Sequence, residues 1–295
     1  MTETIGWEMY RSFLAVLNEG SLSGAARALG VAQPTVGRHI TALERSLNLA
    51  LFTRSQTGLM PTEAAAALRT YAESMHSTVA ALERAAASQG SGVRGTVRIT
   101  ASDVIGVEVL PPVIAGLRDA HQELVVELVL TDRIQDLLRR EADIAVRMTR
   151  PKQELLVARR IGAIELGLFA HRDYLARHGT PKSMADVTRH ALIGFDRPTL
   201  FIRSAGKSLS AWRREAFAMR TDNNLAQLAL IRAGAGSGVC QAAIAHRDEA
   251  LVRLFPRQVS VELDTWVTMH EDLRNSPRCR VAFDALIKGL QEYVG

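Results

Sequence analysis

Between residues 21 and 54 the chain reads SLSGAARALGVAQPTVGRHITALERSLNLALFTR, and this stretch predicts two helices joined by a tight turn. The first is expected over Ser23–Leu29, with Ser21 and Ser23 as candidate N-caps whose hydroxyls accept from free main-chain N–H groups. Ala25, Ala26 and Leu29 share a face, and the two alanines allow a second helix to come close. Gly30 follows the last apolar position, where a left-handed stop favours glycine. The second helix starts at Gln33-Pro34, because proline in a first turn forfeits no needed N–H. Val36, Ile40, Leu43 and Leu47 recur at steps of four, three and four, which makes one buried stripe. Gln33, Thr35, Arg38, Thr41 and Arg45 remain outside it. Amides, hydroxyls and guanidinium groups on one outward face suit base edges and phosphates. Spacing alone also fits an ordinary helical hairpin, so the residue identities must choose.

Those identities are Phe13-Leu14-Ala15-Val16, Gly20-Ser21, Ala25-Ala26, Leu29, Gln33-Pro34, Val36, Ile40, Leu43-Glu44, Leu47, Leu51-Phe52, Arg54 and Thr62-Glu63. Over about the first 65 residues the chain resembles the N-terminal winged helix-turn-helix of the bacterial LysR-type transcriptional regulators, and it resembles them more loosely beyond. The resemblance implies double-stranded DNA with a near-palindromic operator as partner. It implies Ser23, Gln33, Pro34, Thr35, Gly37, Arg38 and Thr41 as the DNA-binding set on the two helices, with Arg54 on backbone phosphate. The chain departs from the family pattern at four positions. Ala32 replaces a capping Ser or Thr, typically worth about 1 kcal/mol. Gly37 replaces a frequent Ser, removing a contact and adding a helix-interior glycine at roughly 1 kcal/mol. Asn48 and Ala65 stand where glycines are common, and Asn tolerates a left-handed turn.

Around this unit the reading continues in order. Residues 7–18 predict a helix with Trp7, Tyr10, Phe13, Leu14 and Leu17 on one face. Ala50-Leu51-Phe52 and Gly58-Leu59-Met60 flank a polar turn and predict a two-stranded wing bearing Arg54, an arginine equally readable as merely solvated. Thr62 caps a long helix reaching about Ser88, with Glu63 at its positive end. Leu68, Tyr71, Met75, Val79, Leu82 and Ala86 line that helix, and the stripe must be covered by a twin helix or by the chain itself. Gln89-Gly90-Ser91-Gly92 is a flexible boundary.

From Val93 strands alternate with helices, which predicts a parallel sheet with helices on both faces. Strands are expected at 96–100, 124–130, 143–148, 165–171, 191–195, 237–241 and 261–269. Helices are expected at 107–120, 132–140, 223–233 and 281–293. The fold class expected is thus an N-terminal all-α winged helix-turn-helix (1–65), a linker and dimerisation helix (62–89), and a C-terminal α/β domain (93–295). For that domain the resemblance implies two subdomains similar to periplasmic ligand-binding proteins, about 93–165 with 268–295, and about 166–267. It places the crossing strands near Leu166–Ala170 and Val261–Met269.

Ligands of parallel α/β sheets sit beyond the carboxyl ends of the strands. Thr100 to Asp103, with Ser102 and Asp103 in the set, end the first strand, where hydroxyls and N–H groups can hold an anion; Thr131 does the same for the second, and Arg147 ends the third, where it can pair with a carboxylate. Helix capping by Ser102 and Thr131 is the competing and compatible reading. Phe195 and Asn223 join this effector-binding set from the distal subdomain in the family-like layout. The ligand expected is a small, anionic metabolite.

Composition bounds the alternatives. The chain has 295 residues, 47% of them hydrophobic and only 5% aromatic, so its cores rest on Leu, Val, Ile and Ala. No run of eighteen apolar residues exists, so no membrane partner is expected, and the N-terminus lacks signal-peptide character. Cys240 and Cys279 form no metal spacing, and a cytoplasmic location fits. Net charge is +5, yet residues 1–66 hold five arginines and five glutamates; charge placement must carry DNA binding. Arginine exceeds lysine by 32 to four, a bias that genome composition explains as well as recognition does.

Gly234-Ala-Gly236-Ser-Gly238 is not a nucleotide-binding turn, because it follows a helix and leads into a strand, the reverse of the order phosphate binding needs. Neither His-x-x-x-His nor Gly-x-Ser-x-Gly occurs. No cofactor or catalytic residue is therefore expected. The reading is an effector-sensing DNA-binding regulator, homodimeric or, as the resemblance suggests, homotetrameric. The alternatives are a solute-binding module without DNA activity and an enzyme on the same α/β fold.

Overall fold

The structure is a computed structural model that describes residues 5–55, 58–87, 92–131, 141–151, 155–197 and 213–295. It forms two compact units, one built on Met1–Ala86 and the other on Ala87–Leu137 with Ala142–Gly295.

The first unit contains α1 (Trp7–Glu19), α2 (Leu22–Leu29), α3 (Gln33–Leu47), the ribbon strands β1 (Phe52–Ser55) and β2 (Gly58–Pro61), and α4 (Glu63–Ala87). Ser21 Oγ caps α2, accepting from Gly24 N at 3.0 Å. Gly30 and Asn48 adopt φ 67 and 53 and stop α2 and α3. Ala32 gives α3 no side-chain cap. Phe13, Val16, Ala25, Val36, Leu43 and Leu51 are buried in one core.

Two details of the wing differ from expectation. Its first strand begins at Phe52, because Leu51 is drawn fully into the core. Arg54 accordingly lies within β1 opposite Leu59, not in the turn. The expected stripe on α4 also divides. Leu68 packs with buried Ala65 and Ala72 against the helical core, whereas Tyr71, Met75 and Leu82 are 64%, 39% and 68% exposed.

In the second unit β3 (Gly95–Ala101), α5 (Asp103–Glu108), α6 (Leu110–Ala120), β4 (Leu124–Leu130) and β5 (Ile144–Arg147) come first. The long strand β6 (Leu156–His171) leads to α7 (Arg172–His178), α8 (Met184–Val187), β7 (Leu192–Gly194) and β8 (Phe217–Arg220). Then come α9 (Asn224–Arg232), β9 (Ser237–Gln241), α10 (Ala242–Ala245), β10 (Leu251–Leu254), β11 (Ser260–His270) and α11 (Pro277–Val294). Among the described residues the strand order is β4-β3-β5-β11-β6-β9-β7-β8, with β10 also on β6. The triplets β4-β3-β5 and β9-β7-β8 are parallel, as expected of strands linked by helices. Between them β6 and β11 run antiparallel from Ser260↔Gly167 to His270↔Leu156 and join two lobes.

The crossing strand β6 therefore starts at Leu156, well before Leu166. The helix expected over 107–120 is two helices beginning at Asp103. Pro111 and Pro112 stand in the first turn of α6, and neither supplies the N–H that would continue α5. The helix expected at 132–140 lies outside the described residues, as do 88–91 of the boundary. β8, β10, α7, α8 and α10 were not anticipated.

Alternation in β3 sends Val97, Ile99 and Ala101 into the first lobe's core, where Ile144, Val146, Val267, Phe283, Leu286 and Leu290 join them. Leu168, Tyr174, Leu192 and Phe217 form the second lobe's core. The glycine cluster is structural. Gly234, at φ 66, ends α9, and a Cβ on Gly236 would lie 2.4 Å from Ala191 O. That close approach lets Ser237 N donate to Ala191 O at 2.9 Å and register β9 on β7.

Candidate nucleic-acid interface and ligand cleft

On α3, Gln33, Pro34, Arg38 and Thr41 are exposed, and Thr35 and Gly37 are half-buried; Ser23 is exposed on α2. Packing of the opposite face through Val36, Ile40 and Leu43 fixes which side looks outward. Among the described residues Arg38 Nη2 makes a long 3.4 Å contact with Thr35 Oγ1. Packing does not demand glycine at 37, since an added Cβ would meet Leu22 Cδ1 at 3.7 Å and nothing nearer. The outward surface simply lacks a side chain there.

Behind this face α3 is fastened by polar contacts that the helical spacing did not reveal. Buried Ser12 Oγ lies 2.8 Å from His39 Nδ1, joining α1 to α3. Glu44 Oε1 accepts from Leu51 N at 2.7 Å and Phe52 N at 3.2 Å. On the other strand of the wing, Leu59 N donates to Gly20 O at 2.9 Å. Gly58 makes this possible: its φ is 131, and a Cβ would sit 2.7 Å from Gly20 O.

In the second unit Ser102, Asp103, Thr131 and Arg147 come together at the carboxyl ends of the adjacent strands β4, β3 and β5. Ser102 occupies the N-cap position of α5, yet its hydroxyl does not cap; it lies 3.6 Å from Met148 Sδ. Thr131 N donates to Ala101 O at 3.0 Å. Arg147 donates to Thr100 Oγ1 at 2.7 Å and to Val146 O at 2.8 Å.

Phe195 and Asn223 form a second group at the ends of β7 and β8. Thr221 N donates to Gly194 O there, and Asp222 Oδ1 accepts from Asp196 N and Arg197 N at 2.9 and 3.0 Å. Asn223 Oδ1 caps α9 through Ala226 N at 2.8 Å, so its oxygen is engaged. Thr100, placed by the sequence at the end of the first strand, holds Arg147; Met148 and Trp266 beside this group were not anticipated. Trp266 stands opposite Arg147 on β11, with the Arg150 guanidinium 5.8 Å from its ring centre.

A groove of about 740 Å³ lies elsewhere, lined in part by Val157, Met269, Arg274, Arg280 and Phe283, and includes none of these residues. Cys240 packs at the edge of the apolar cores, and burial pushes its thiol up to about 12.

One ion pair ties the lobes together. Arg232, ending α9, donates to both oxygens of Glu108, ending α5, at 2.7 and 2.9 Å. Arg247 donates to Glu108 O at 2.9 Å. The Arg232 hydrogen bonds hold the Glu108 carboxyl below its ordinary 4.5, against the opposing effect of burial. A depressed carboxylate stabilises the fold above its unfolded value and loses that contribution as pH falls through its folded value. Glu108→Gln is expected to lower unfolding free energy at neutral pH by about 1 kcal/mol, modest because Arg232 keeps solvent contact. The difference from wild type should vanish once pH falls below the ordinary carboxylate range. Urea unfolding of both proteins across that range measures it.

Residues 7–66 match the model described as bacterial regulatory helix-turn-helix protein, lysR family, and residues 90–291 match the LysR substrate binding domain. An HTH-type transcriptional regulator of Xanthomonas campestris is 30% identical over 169 residues, covering 57% of this chain and 49% of its own length. The regulator CrgA of Neisseria meningitidis is 28% identical, with 63% and 62% covered. The Mau operon transcriptional activator of Paracoccus denitrificans is 32% identical, with 57% and 59% covered. The matched region thus spans about half to three fifths of these relatives. Among solved structures, CbnR superposes with TM-score 0.67 at 20% identity, covering 98% of this chain and 99% of its own. Full-length CrgA superposes with TM-score 0.59 at 23% identity, with 98% and 99% covered. At these identities the likeness speaks for the fold.

Proposed function

Because the chain belongs to the lysR family of bacterial regulatory helix-turn-helix proteins, we propose that it is a sequence-specific DNA-binding transcriptional regulator controlled by a small anionic metabolite. The observation that carries the DNA reading is the outward face of α3. Gln33, Thr35, Arg38 and Thr41 lie on one side of a helix whose other side is buried. Residues near the start of such a helix reach base edges in the major groove, while the wing reaches backbone. CbnR, whose fold this chain shares, has been crystallised with its target DNA.

We assign Ser23, Gln33, Pro34, Thr35, Gly37, Arg38, Thr41 and Arg54 to this interface. Ser102, Asp103, Thr131, Arg147, Phe195 and Asn223 form the effector site. Dimers built on α4, alone or paired into tetramers, would present two such helices to a near-palindromic operator. No described helix is long and apolar enough to cross a membrane, and the cytoplasm, where DNA is, is the proposed location.

The test is selection of genomic fragments by the purified protein, followed by gel shifts on selected and random DNA. Arg38→Ala is expected to cost about 1–3 kcal/mol and relax preference at one position, whereas Arg54→Ala weakens all sequences alike and lowers the salt slope by about one. Undiminished binding by Arg38→Ala would overturn this orientation of α3. Equal affinity of wild type for selected and random DNA would favour a sensor module without operator recognition.

A further inference from the structure

We infer that Glu44 is the positioning residue that fixes the wing, and with it Arg54, relative to the recognition helix α3; the inference rests on the DNA-binding reading above. Glu44 sits in the last turns of α3, where a carboxylate opposes the negative end of the helix dipole. It is nevertheless half-buried there. What holds it is the convergence of two successive main-chain N–H groups, Leu51 and Phe52, on its Oε1 at 2.7 and 3.2 Å. Hydrogen bonds from N–H to an ionised oxygen are short and strong, and both donors belong to the entry into β1, not to α3. The carboxylate therefore spans the chain from the recognition helix to the first strand of the wing.

Other polar fastenings of the wing run elsewhere, while Leu51, Phe52 and Leu59 share one apolar core with Val36, Ile40, Leu43 and Leu47 of α3. Leu59 N donates to Gly20 O at the α1–α2 turn. Thr62 donates to Ala50 O and Leu51 O at the start of α4. Phe52 packs its ring 5.8 Å from that of Phe13 on α1. Glu44 alone among these polar contacts sets β1 against α3. Arg54 lies two residues beyond Phe52 and is exposed. Its distance from Arg38 and Gln33 must match the separation of a phosphate from the base edges they read. Without the carboxylate the start of β1 is released, and Arg54 loses a fixed address while α3 keeps its own packing.

The experiment compares Glu44→Ala, Glu44→Gln, Arg54→Ala and the double variant Glu44→Ala/Arg54→Ala. Amide hydrogen exchange is followed without DNA. Affinity is measured against salt on a genomic fragment selected by the wild type. In Glu44→Ala the Leu51 and Phe52 amides should exchange about tenfold faster or more, with α1–α3 still protected. Affinity should fall about tenfold on all sequences and the salt slope by about one, as for loss of a phosphate contact. Base preference should stay unchanged, and the double variant should be no weaker than Arg54→Ala alone. Glu44→Gln should recover most of the loss, because its amide oxygen still accepts both N–H groups.

Wild-type exchange at Leu51 and Phe52 in Glu44→Ala would overturn the assignment, as would additive losses in the double variant. Loss of protection across α1–α3 would also overturn it, by showing that Glu44 supports the whole unit. If the wild type selects no fragment, the DNA reading falls by itself, and the exchange data still decide whether Glu44 holds the wing.

Discussion

Leu82→Glu and Tyr71→Glu are each expected to dissociate the assembly and to weaken operator binding at least about 100-fold. The 25 residues of α4 extend about 37 Å. Along them Tyr71, Met75 and Leu82 present apolar surface to water. Burying such side chains stabilises by about 1.5–3 kcal/mol each, and a twin helix offers a matching stripe at the same spacing. A carboxylate placed in that seam is desolvated without a partner, which costs several kcal/mol and opens the dimer. A monomer carries one recognition helix, so the second half-site is no longer bound intramolecularly. Sedimentation velocity at micromolar concentration and gel shifts check both halves. A monomeric wild type, or two variants that stay assembled, would count against α4 as the seam. Leu68→Glu is the wrong variant for this question. Leu68 packs with Ala65 and Ala72 on the helical core, and a charge there would unfold the unit it is meant to probe.

That division of one stripe into inward and outward parts marks the limit of periodicity as a guide. Steps of three and four found the helix and its apolar residues, because any covered face needs them. They could not tell which residues meet the chain's own core and which await a partner. The recognition helix was legible for a related reason. Val36, Ile40 and Leu43 are buried by short-range geometry alone, so the outward placement of Gln33 and Arg38 follows. The caps at Ser21, Gly30 and Thr62 were legible because capping is local chemistry, whereas Asn223, read as a ligand residue, caps α9. Glu44 was visible as a family residue, but its role was not, since its partners Leu51 and Phe52 depend on how the chain returns from α3. Ser12 with His39 was hidden likewise.

In the second unit short strands were the weak point. β8 and β10, four residues each, carry too little alternation to announce themselves. β6 was cut short because its first half, Leu156 to Ile164, mixes arginines and glycine into the crossing. The ends of β3, β4 and β5 were placed well enough to assemble the proposed ligand set. The hydroxyl of Ser102 was not: the residue stands at a cap position and yet turns to Met148.

Arg147→Ala is expected to weaken effector binding about 10- to 100-fold, the worth of one charge-assisted pair. The argument begins with three parallel strand ends side by side, where ligands of such sheets sit. Thr100 Oγ1 and Val146 O anchor the Arg147 guanidinium in place, so little order must be gained on binding. A preorganised cation favours a carboxylate or similar anion. Ser102→Ala should cost only a few-fold, since a neutral hydrogen bond is worth about 1 kcal/mol, and Thr131→Val about the same. Phe195 and Asn223 stand on the other lobe, so a ligand that touches both groups stabilises one relative arrangement of the lobes over another. Only that difference in contacts can shift the assembly on DNA. A near-complete shift needs about 5 kcal/mol, more than Arg147 alone supplies, so the second lobe must contribute. Glu108→Gln separates the two effects: it loosens the Arg232 tie between lobes without touching the Arg147 group, and should alter the regulatory response more than the affinity. Calorimetric titration of a panel of small carboxylates against wild type, Arg147→Ala, Ser102→Ala and Thr131→Val measures the site. An effector that binds all three variants as tightly as wild type would move the pocket away from these strand ends, toward the groove beside Arg274 and Arg280.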